Sequence, residues 1–314
     1  MTPSDHGDVT LIVRECGERT ADACVRLLQE LFPGQVVFRV SGQPFVATLE
    51  KSLRWGLEQG RLWTLCIDAD VLVLPALKDF IGEAKRLPDH FVEAQALVAD
   101  KLLPARRPAG NHLYRTALIP KALTCIPQNA SLRPESSMID SLGRAGHPYH
   151  QSSMLVGLHD FAQHPADIYS KAALHGHKHA YLEDLILPLW LRWGLVDDDF
   201  RIAYDAFVAS RQHSVPAEVS RTPPPPHADM NWTPAPALDR VSGTALQSML
   251  RDAPYLRPEA AALRNRIEQD VELLIAHQRR LYAHSLSPWR RRWHRLLRRY
   301  PYPLSANCSP PRNA

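Results

Sequence analysis

The sequence predicts an α/β protein with an α-helical C-terminal extension, and three observations predict it. Short β-branched apolar runs alternate with stretches of helical period through roughly the first 100 residues, the pattern of strand–helix–strand units. A proline-rich stretch, residues 216–236, carries seven prolines, Pro223 to Pro226 among them, and reads as an extended linker. Beyond it, residues 258–284 place Leu263, Ile267, Val271, Leu274, Gln278 and Leu281 along one stripe of a long helix. The expected organisation is a main domain over 1–215, a linker over 216–236 and a helical extension with a basic tail over 237–314.

In chain order, VTLIVRE, from Val9 to Glu15, follows a polar start and reads as the first strand. Thr20 or Asp22 is placed to cap a helix that carries Cys24, Leu27, Leu28 and Leu31 at helical spacing and ends at Pro33-Gly34. Gln35 to Val40 reads as a second strand closed by Ser41-Gly42. Pro44 to Gln59 reads as a second helix, with Phe45, Leu49, Leu53 and Leu57 on one face, stopped by Gly60. Arg61 to Leu74 then reads as one long strand interrupted by two aspartates. This order predicts a parallel sheet with helical crossovers, whose ligands sit at the carboxyl ends of strands. Further on, a helix is expected over Pro75 to Leu87, a strand over His90 to Val98, and a loop with a short helix over Gly110 to Leu123. Pro127 to Tyr149 reads mostly as loop, and Asp160 to Lys178 and Glu183 to Trp193 as helices.

At 314 residues, 45% hydrophobic and 22% charged, the chain matches ordinary globular composition and excludes disorder throughout, collagen and a disulfide miniprotein. Five scattered cysteines without ligand spacing fit a reducing compartment. The N-terminal MTPSDHGDV lacks the basic start and apolar stretch of a signal peptide, so a cytoplasmic location is expected. The seven arginines of residues 288–314 exceed the net charge of +4 carried by the whole chain, so the basicity belongs to the tail. In PWRRRWHRLLRRY, residues 288–300, Trp289, Trp293, Leu296, Leu297 and Tyr300 share a helical face with arginines around the rest. That is the pattern of a helix lying on an anionic membrane surface, here the inner face of the cytoplasmic membrane. Docking of the aromatic face on the protein itself is the alternative; nucleic acid is disfavoured because no other basic patch or recognised motif supports it. The helix over 258–284 either packs on the main domain or pairs with a second copy in a homodimer.

Asp68 and Asp70, one residue apart at the end of an apolar strand, present carboxylates that need a cation nearby. A divalent metal, Mg2+ or Mn2+, is the usual solution, and it grips a diphosphate in turn. Capping of the next turn by Asp68, with Asp70 merely exposed, is the structural alternative. The surrounding stretch ATLEKSLRWGLEQGRLWTLCIDADVLVLP, Ala47 to Pro75, with Gly56, Gly60, Trp63, Asp68 and Asp70 in the expected places, resembles the family-two-like bacterial GT-A glycosyltransferases. The resemblance covers roughly residues 9–205. It implies a Rossmann-like GT-A domain, a nucleotide-sugar donor bound through Mn2+ or Mg2+, and transfer of a hexose to a glycan or lipid-linked acceptor in surface-polysaccharide assembly. A HAD-like phosphatase would use the same two aspartates, Asp68 as nucleophile and Asp70 as acid/base. Leu72 stands where that pattern wants Thr or Val, although Asp197-Asp198-Asp199 imitates its later metal-binding motif.

Further site residues follow from the glycosyltransferase resemblance. Glu183-Asp184 stands where many inverting members carry an acidic pair, with Asp184 as the general base; the alternative is the ordinary preference of acids for a helix start. His159, and by position His213, would complete the metal shell. Arg14, at the end of the first strand, would touch the donor's base or diphosphate, unless it pairs with Glu15 or Glu18. The acid that often follows the second strand is replaced by Ser41-Gly42. His112, Tyr114 and Arg115 are candidates for the acceptor side. His175, His177 and His179 are expected on a solvated face or in acceptor contacts.

Overall fold

The computed structural model describes residues 7–129, 131–213, 241 and 243–286. The linker over 216–236 and the basic tail over 288–300 lie outside the described residues. The main sheet is built from β1 (Val9–Glu15), β2 (Val37–Ser41), β3 (Trp63–Asp68), β4 (Val71–Val73), β5 (Glu93–Asp100), β6 (Arg106–Pro108), β7 (Asn111–Arg115) and β8 (Tyr149–His159). Helices α1 (Ala21–Leu31), α2 (Phe45–Gln59), α3 (Leu77–Ala84), α4 (Ile119–Cys125) and α5 (Pro134–Arg144) cover the sheet. Helices α6 (Pro165–Lys178), α7 (Glu183–Trp193) and α8 (Asp198–Ser210) follow, and α9 (Gly243–Arg251) and α10 (Ala261–Ser285) form the C-terminal extension. The protein is therefore α/β with an α-helical extension.

The expected all-parallel sheet is instead mixed. Its strand order is β2-β1-β3-β7-β5-β8-β4, with β6 beside β5. β1 pairs in parallel with β2 and β3, and β5 with β8, but β7 runs antiparallel between β3 and β5. The segment 111–115, expected as loop, is this central strand. Its polar first residue, Asn111, holds β5 through its side chain, accepting from Ala96 N at 2.8 Å and donating to the Ala96 carbonyl at 3.1 Å. The long third strand is two strands: the chain turns at Asp68–Asp70, and β4 pairs antiparallel with β8 at the far edge. Pro127 to Tyr149, expected as loop, contains α5, and β8 and α8 are likewise additions to the sequence reading.

Period-two alternation sorts the strand residues into two cores. Leu11 and Val13 of β1, with Leu65 and Ile67 of β3, meet α1 and α3 on one face. Ile12 and Cys66 meet Leu49 and Leu53 of α2, Ala122 of α4 and Met138 of α5 on the other. A third core joins α6, α7, α8 and the start of α10 around Trp190 and Phe207. α10 packs its Leu263, Ile267, Gln278 and Tyr282 inward, whereas Leu274 of the expected stripe is exposed. No helix among the described residues is long and apolar enough to cross a membrane.

Two glycines make room where β4 crosses the sheet edge. A Cβ at Gly157 would stand 2.6 Å from Val71 Cγ1 and 3.3 Å from the Leu72 carbonyl. A Cβ at Gly110, whose φ is +59°, would meet Val71 Cγ2 at 2.6 Å. Gly157→Ala should therefore lower unfolding free energy by about 1–3 kcal/mol through overpacking. Gly82→Ala, at an open position in α3, should be neutral or stabilising by roughly 0.5–1 kcal/mol. Urea unfolding of the two variants beside the parent checks both signs.

Candidate functional site

The carboxyl ends of β1, β3 and β8 open onto a cavity of about 570 Å³, which Glu93 and Gln95 of β5 also line. Strand register sets its floor. Arg14 and Asp68 are direct cross-strand partners and share the face of Ile12 and Cys66, so their side chains meet, Arg14 Nε donating to Asp68 Oδ1 at 2.7 Å. His112 lies opposite Cys66 and faces the same way. Glu135 of α5 comes down over these strands and accepts from Arg14 Nη1 at 2.8 Å, from the Tyr114 hydroxyl, and at 3.0 Å from His112 Nε2. His112 Nδ1 meets Glu93 at 2.5 Å. Arg14 is 2% exposed and lies 5.2 Å from the centre of the Phe45 ring. Its partners are thus Asp68 and Glu135 rather than Glu15 or Glu18.

The turn between β3 and β4 is fixed by its backbone. Asp68 N donates to the Gly110 carbonyl at 2.8 Å and Ala69 N to the Arg14 carbonyl at 2.9 Å. Thr20, expected as a helix cap, spends its hydroxyl on the Ala69 carbonyl at 2.7 Å instead. This anchoring points the two aspartates apart. Asp68 stays with Arg14, and Asp70 turns toward the end of β8, where it joins His159 and Asp160 in a buried cluster whose ligand atoms lie within 4.8 Å of one another. Asp160 and Ala162 both adopt left-handed backbone, φ +63° and +56°, a conformation that costs a non-glycine residue energy and that recurs at functional sites.

The cluster fits a divalent cation by donor chemistry. Two carboxylates and an imidazole suit Mn2+ or Mg2+: Asp70 Oδ1 is buried without a hydrogen-bond partner, and His159 Nδ1 lies 3.0 Å from Asp160 Oδ2, so the donor atoms already converge. Lys171 of α6 reaches the same place, its ammonium bonded to both Asp70 and Asp160, so an entering cation must take over both carboxylates. Asp100, at the end of β5 opposite His159, bonds Arg107 at 2.6 Å and lies 2.9 Å from His159 Nδ1. Burial disfavours a charged His159, but Asp160, Asp70 and Asp100 outweigh it and lift the imidazole to about 10.

The structure brings Arg14, Asp68, Asp70 and His159 to one cavity but leaves other sequence candidates outside it. Glu183 and Asp184 open α7 beyond the lining: Glu183 pairs with Arg211 at 3.3 Å, and Asp184 is exposed. His213 bonds the Ala209 carbonyl on the surface. Arg115 stacks on Trp63 and donates to the Leu87 carbonyl, away from the lining. Asp197 and Asp199 hold Lys101 at 2.9 and 2.5 Å, and Asp197 caps α8. His175 and His179 are not on a solvated face: both line the cavity, and His175 is buried. Sequence reading passed over Glu135, Asp100 and Lys171, whose partners stand on other elements of the fold.

Burial opposes a charge on His112, yet Glu135 and Glu93 prevail and its imidazole rises to about 10. A raised histidine contributes stability that is complete below its unfolded value, about 6.5, and lost as pH climbs through about 10. Burial also opposes a charge on Glu135, but Arg14 and His112 hold its carboxyl well below the ordinary range, so its contribution fades only in acid. Unfolding free energy measured from pH 7 to 9.5 should fall with a slope that His112→Gln reduces by up to about 1.4 kcal/mol per pH unit. An unchanged slope would place the His112 charge elsewhere in the titration.

No family model matches the chain, and no curated protein matches it. Among solved structures it is similar to the mannosyltransferase PcManGT from Pyrobaculum calidifontis in complex with GDP-Man and Mn2+, at 12% identity over 88% of this chain and 86% of that one, TM-score 0.38. It is similar also to a glycosyltransferase involved in the glycosylation of the major capsid of PBCV-1, at 12% identity over 46% and 81%, TM-score 0.33. A third is a CMP:2-keto-3-deoxy-manno-octonic acid synthetase complexed with CTP, at 8% identity over 48% and 90%, TM-score 0.35.

Proposed function

We propose that the chain is a divalent-cation-assisted glycosyltransferase of GT-A type, moving a hexose from a nucleotide-sugar donor to a glycan or lipid-linked acceptor in bacterial surface-polysaccharide assembly. The observation that carries the reading is the Asp70–His159–Asp160 cluster in the cavity at the carboxyl ends of the strands, where α/β sheets bind ligands. The sequence resemblance over residues 47–75 supports it.

Asp70, His159 and Asp160 would hold the cation, which when bound supplies positive charge for the departing diphosphate. The chain's own residues prepare the rest. Arg14 fixes Asp68, whose side chain remains 26% exposed to the cavity and is placed to accept a donor hydroxyl. Lys171 is a second positive charge, which would have to leave Asp70 and Asp160 for them to hold a metal. Val271 and Leu274 of α10 add apolar surface to the cavity wall. Asp184 lies outside the cavity lining, away from the place from which a base would reach the acceptor hydroxyl.

Calorimetric titration with nucleotide sugars, in Mn2+ and in EDTA, tests the reading. Asp70→Asn should abolish the Mn2+-dependent part of binding while the fold persists; undiminished metal-dependent affinity would remove Asp70 from the cation site. Lys171→Met, which removes the competing ammonium, should bind Mn2+ at least about tenfold more tightly. Asp184→Asn should keep turnover within a few-fold, whereas a loss of about 10²-fold would restore it as the base. Turnover of a generic phosphate ester, with capture of a phosphate mimic on Asp68, would instead favour a hydrolase.

A further inference from the structure

The acidic side of the cavity carries its own counter-charges, but another part of its wall is basic and lacks them. Arg133, just before α5, and Lys178 and His179, at the end of α6, line the same cavity. Arg133 Nη2 donates to the Lys178 carbonyl at 3.0 Å and lies 3.5 Å from His179 Nε2, which ties the two elements together at this point. Among the described residues no carboxylate lies within ion-pair distance of Arg133 or of the Lys178 ammonium, and Arg107 nearby is taken by Asp100. The rings of His175 and His179 stand 5.3 Å apart, and the Nδ1 atom of each is buried with no hydrogen-bond partner.

Basic side chains are common in the last turn of a helix, where they meet the negative end of its dipole. That preference accounts for a solvated lysine, but not for one half-buried beside two arginines. Burial, with Arg133 and Arg107, brings the Lys178 ammonium down to about 7. An arrangement that pushes like charges together and leaves polar atoms unpaired persists because something else depends on it. The missing component must be negative, must accept several hydrogen bonds from diverging donors, and must fit between a planar guanidinium and a point charge. A phosphate group has those properties.

We infer that Arg133, Lys178 and His179 form an anion subsite for the phosphate or diphosphate group of a substrate, and that it binds this group without a divalent cation. The subsite stands independently of the glycosyltransferase reading; only the identity of the substrate rests on that reading. The phosphate belongs either to the nucleotide donor or to a phosphate-linked acceptor.

The test is calorimetric titration of the full-length protein with inorganic pyrophosphate in EDTA. The parent should bind, and the double variant Arg133→Ala/Lys178→Met should lose tenfold or more. Loss of less than tenfold in the double variant, or no binding by the parent, overturns the inference. Thermal melting without ligand guards against misfolding. Lys178→Met removes a half-buried charge that has no carboxylate at ion-pair distance among the described residues, so its melting temperature should equal or exceed that of the parent. A drop would show that Lys178 holds the fold rather than a ligand. Nucleoside diphosphates and a short-chain prenyl phosphate, titrated separately, distinguish the sources: the ligand weakened in the double variant is the one whose phosphate the subsite holds. If neither is weakened while pyrophosphate is, the subsite stands and the glycosyltransferase substrate assignment fails.

Discussion

Carboxylates gathered at one end of a sheet can be buried only if each meets a positive charge, and this constraint shapes the site. Isolated ionised acids in a protein interior would cost several kcal/mol or would take up protons. Here Arg14 lies between Asp68 and Glu135, His112 between Glu135 and Glu93, Arg107 and His159 beside Asp100, and Lys171 between Asp70 and Asp160. The charges alternate in two groups, Asp68–Arg14–Glu135–His112–Glu93 and Arg107–Asp100–His159 with Asp70, Asp160 and Lys171. Every link draws on a different element, so α5 and α6 must both be docked before the strand ends are neutral. Removing one partner strands another charge in the interior, which typically costs about 3–5 kcal/mol. The network therefore ties the integrity of the fold to the geometry of the cavity.

How much of this was legible in the sequence depends on the range of the interaction. Asp68 and Asp70 announce themselves because an apolar strand has no other reason to carry acids, and His159 and Arg14 because they end apolar runs. Glu135 was illegible because α5 begins with Arg-Pro-Glu-Ser-Ser, a polar start that reads as loop, and its apolar stripe of Met138, Ile139 and Leu142 is short. Lys171 looks like any lysine on a helix surface. Its role appears only when the turn at Asp68–Asp70 and the left-handed Asp160 bring two carboxylates to it.

The antiparallel insertion of β7 has the same explanation. Asn-His-Leu-Tyr-Arg offers only two apolar residues, and both polar neighbours are functional in the fold: Asn111 bonds the backbone of β5, and His112 neutralises Glu93 and Glu135. A strand whose polar residues are buried by specific partners loses the alternation by which strands are recognised. Glu183-Asp184 shows the converse. An acidic pair at a helix start is favoured by the helix dipole wherever the helix lies, so the local pattern carries no information about distance from the cavity.

The C-terminal extension is part of the site rather than an appendage to it. α10 crosses α5, with Gln278 Nε2 donating to Asp140 at 2.6 Å, and Gly143 permits the approach, because a Cβ there would stand 2.9 Å from Gln278 Oε1. Ile267, Val271 and Leu274 then face the cavity from above the charged floor. An apolar wall over a charge network lowers the local dielectric, which strengthens each ion pair and makes an uncompensated charge more costly. One cavity thus carries two opposite features: the acids are held because their cations are built in, and Lys178 has no carboxylate at ion-pair distance among the described residues.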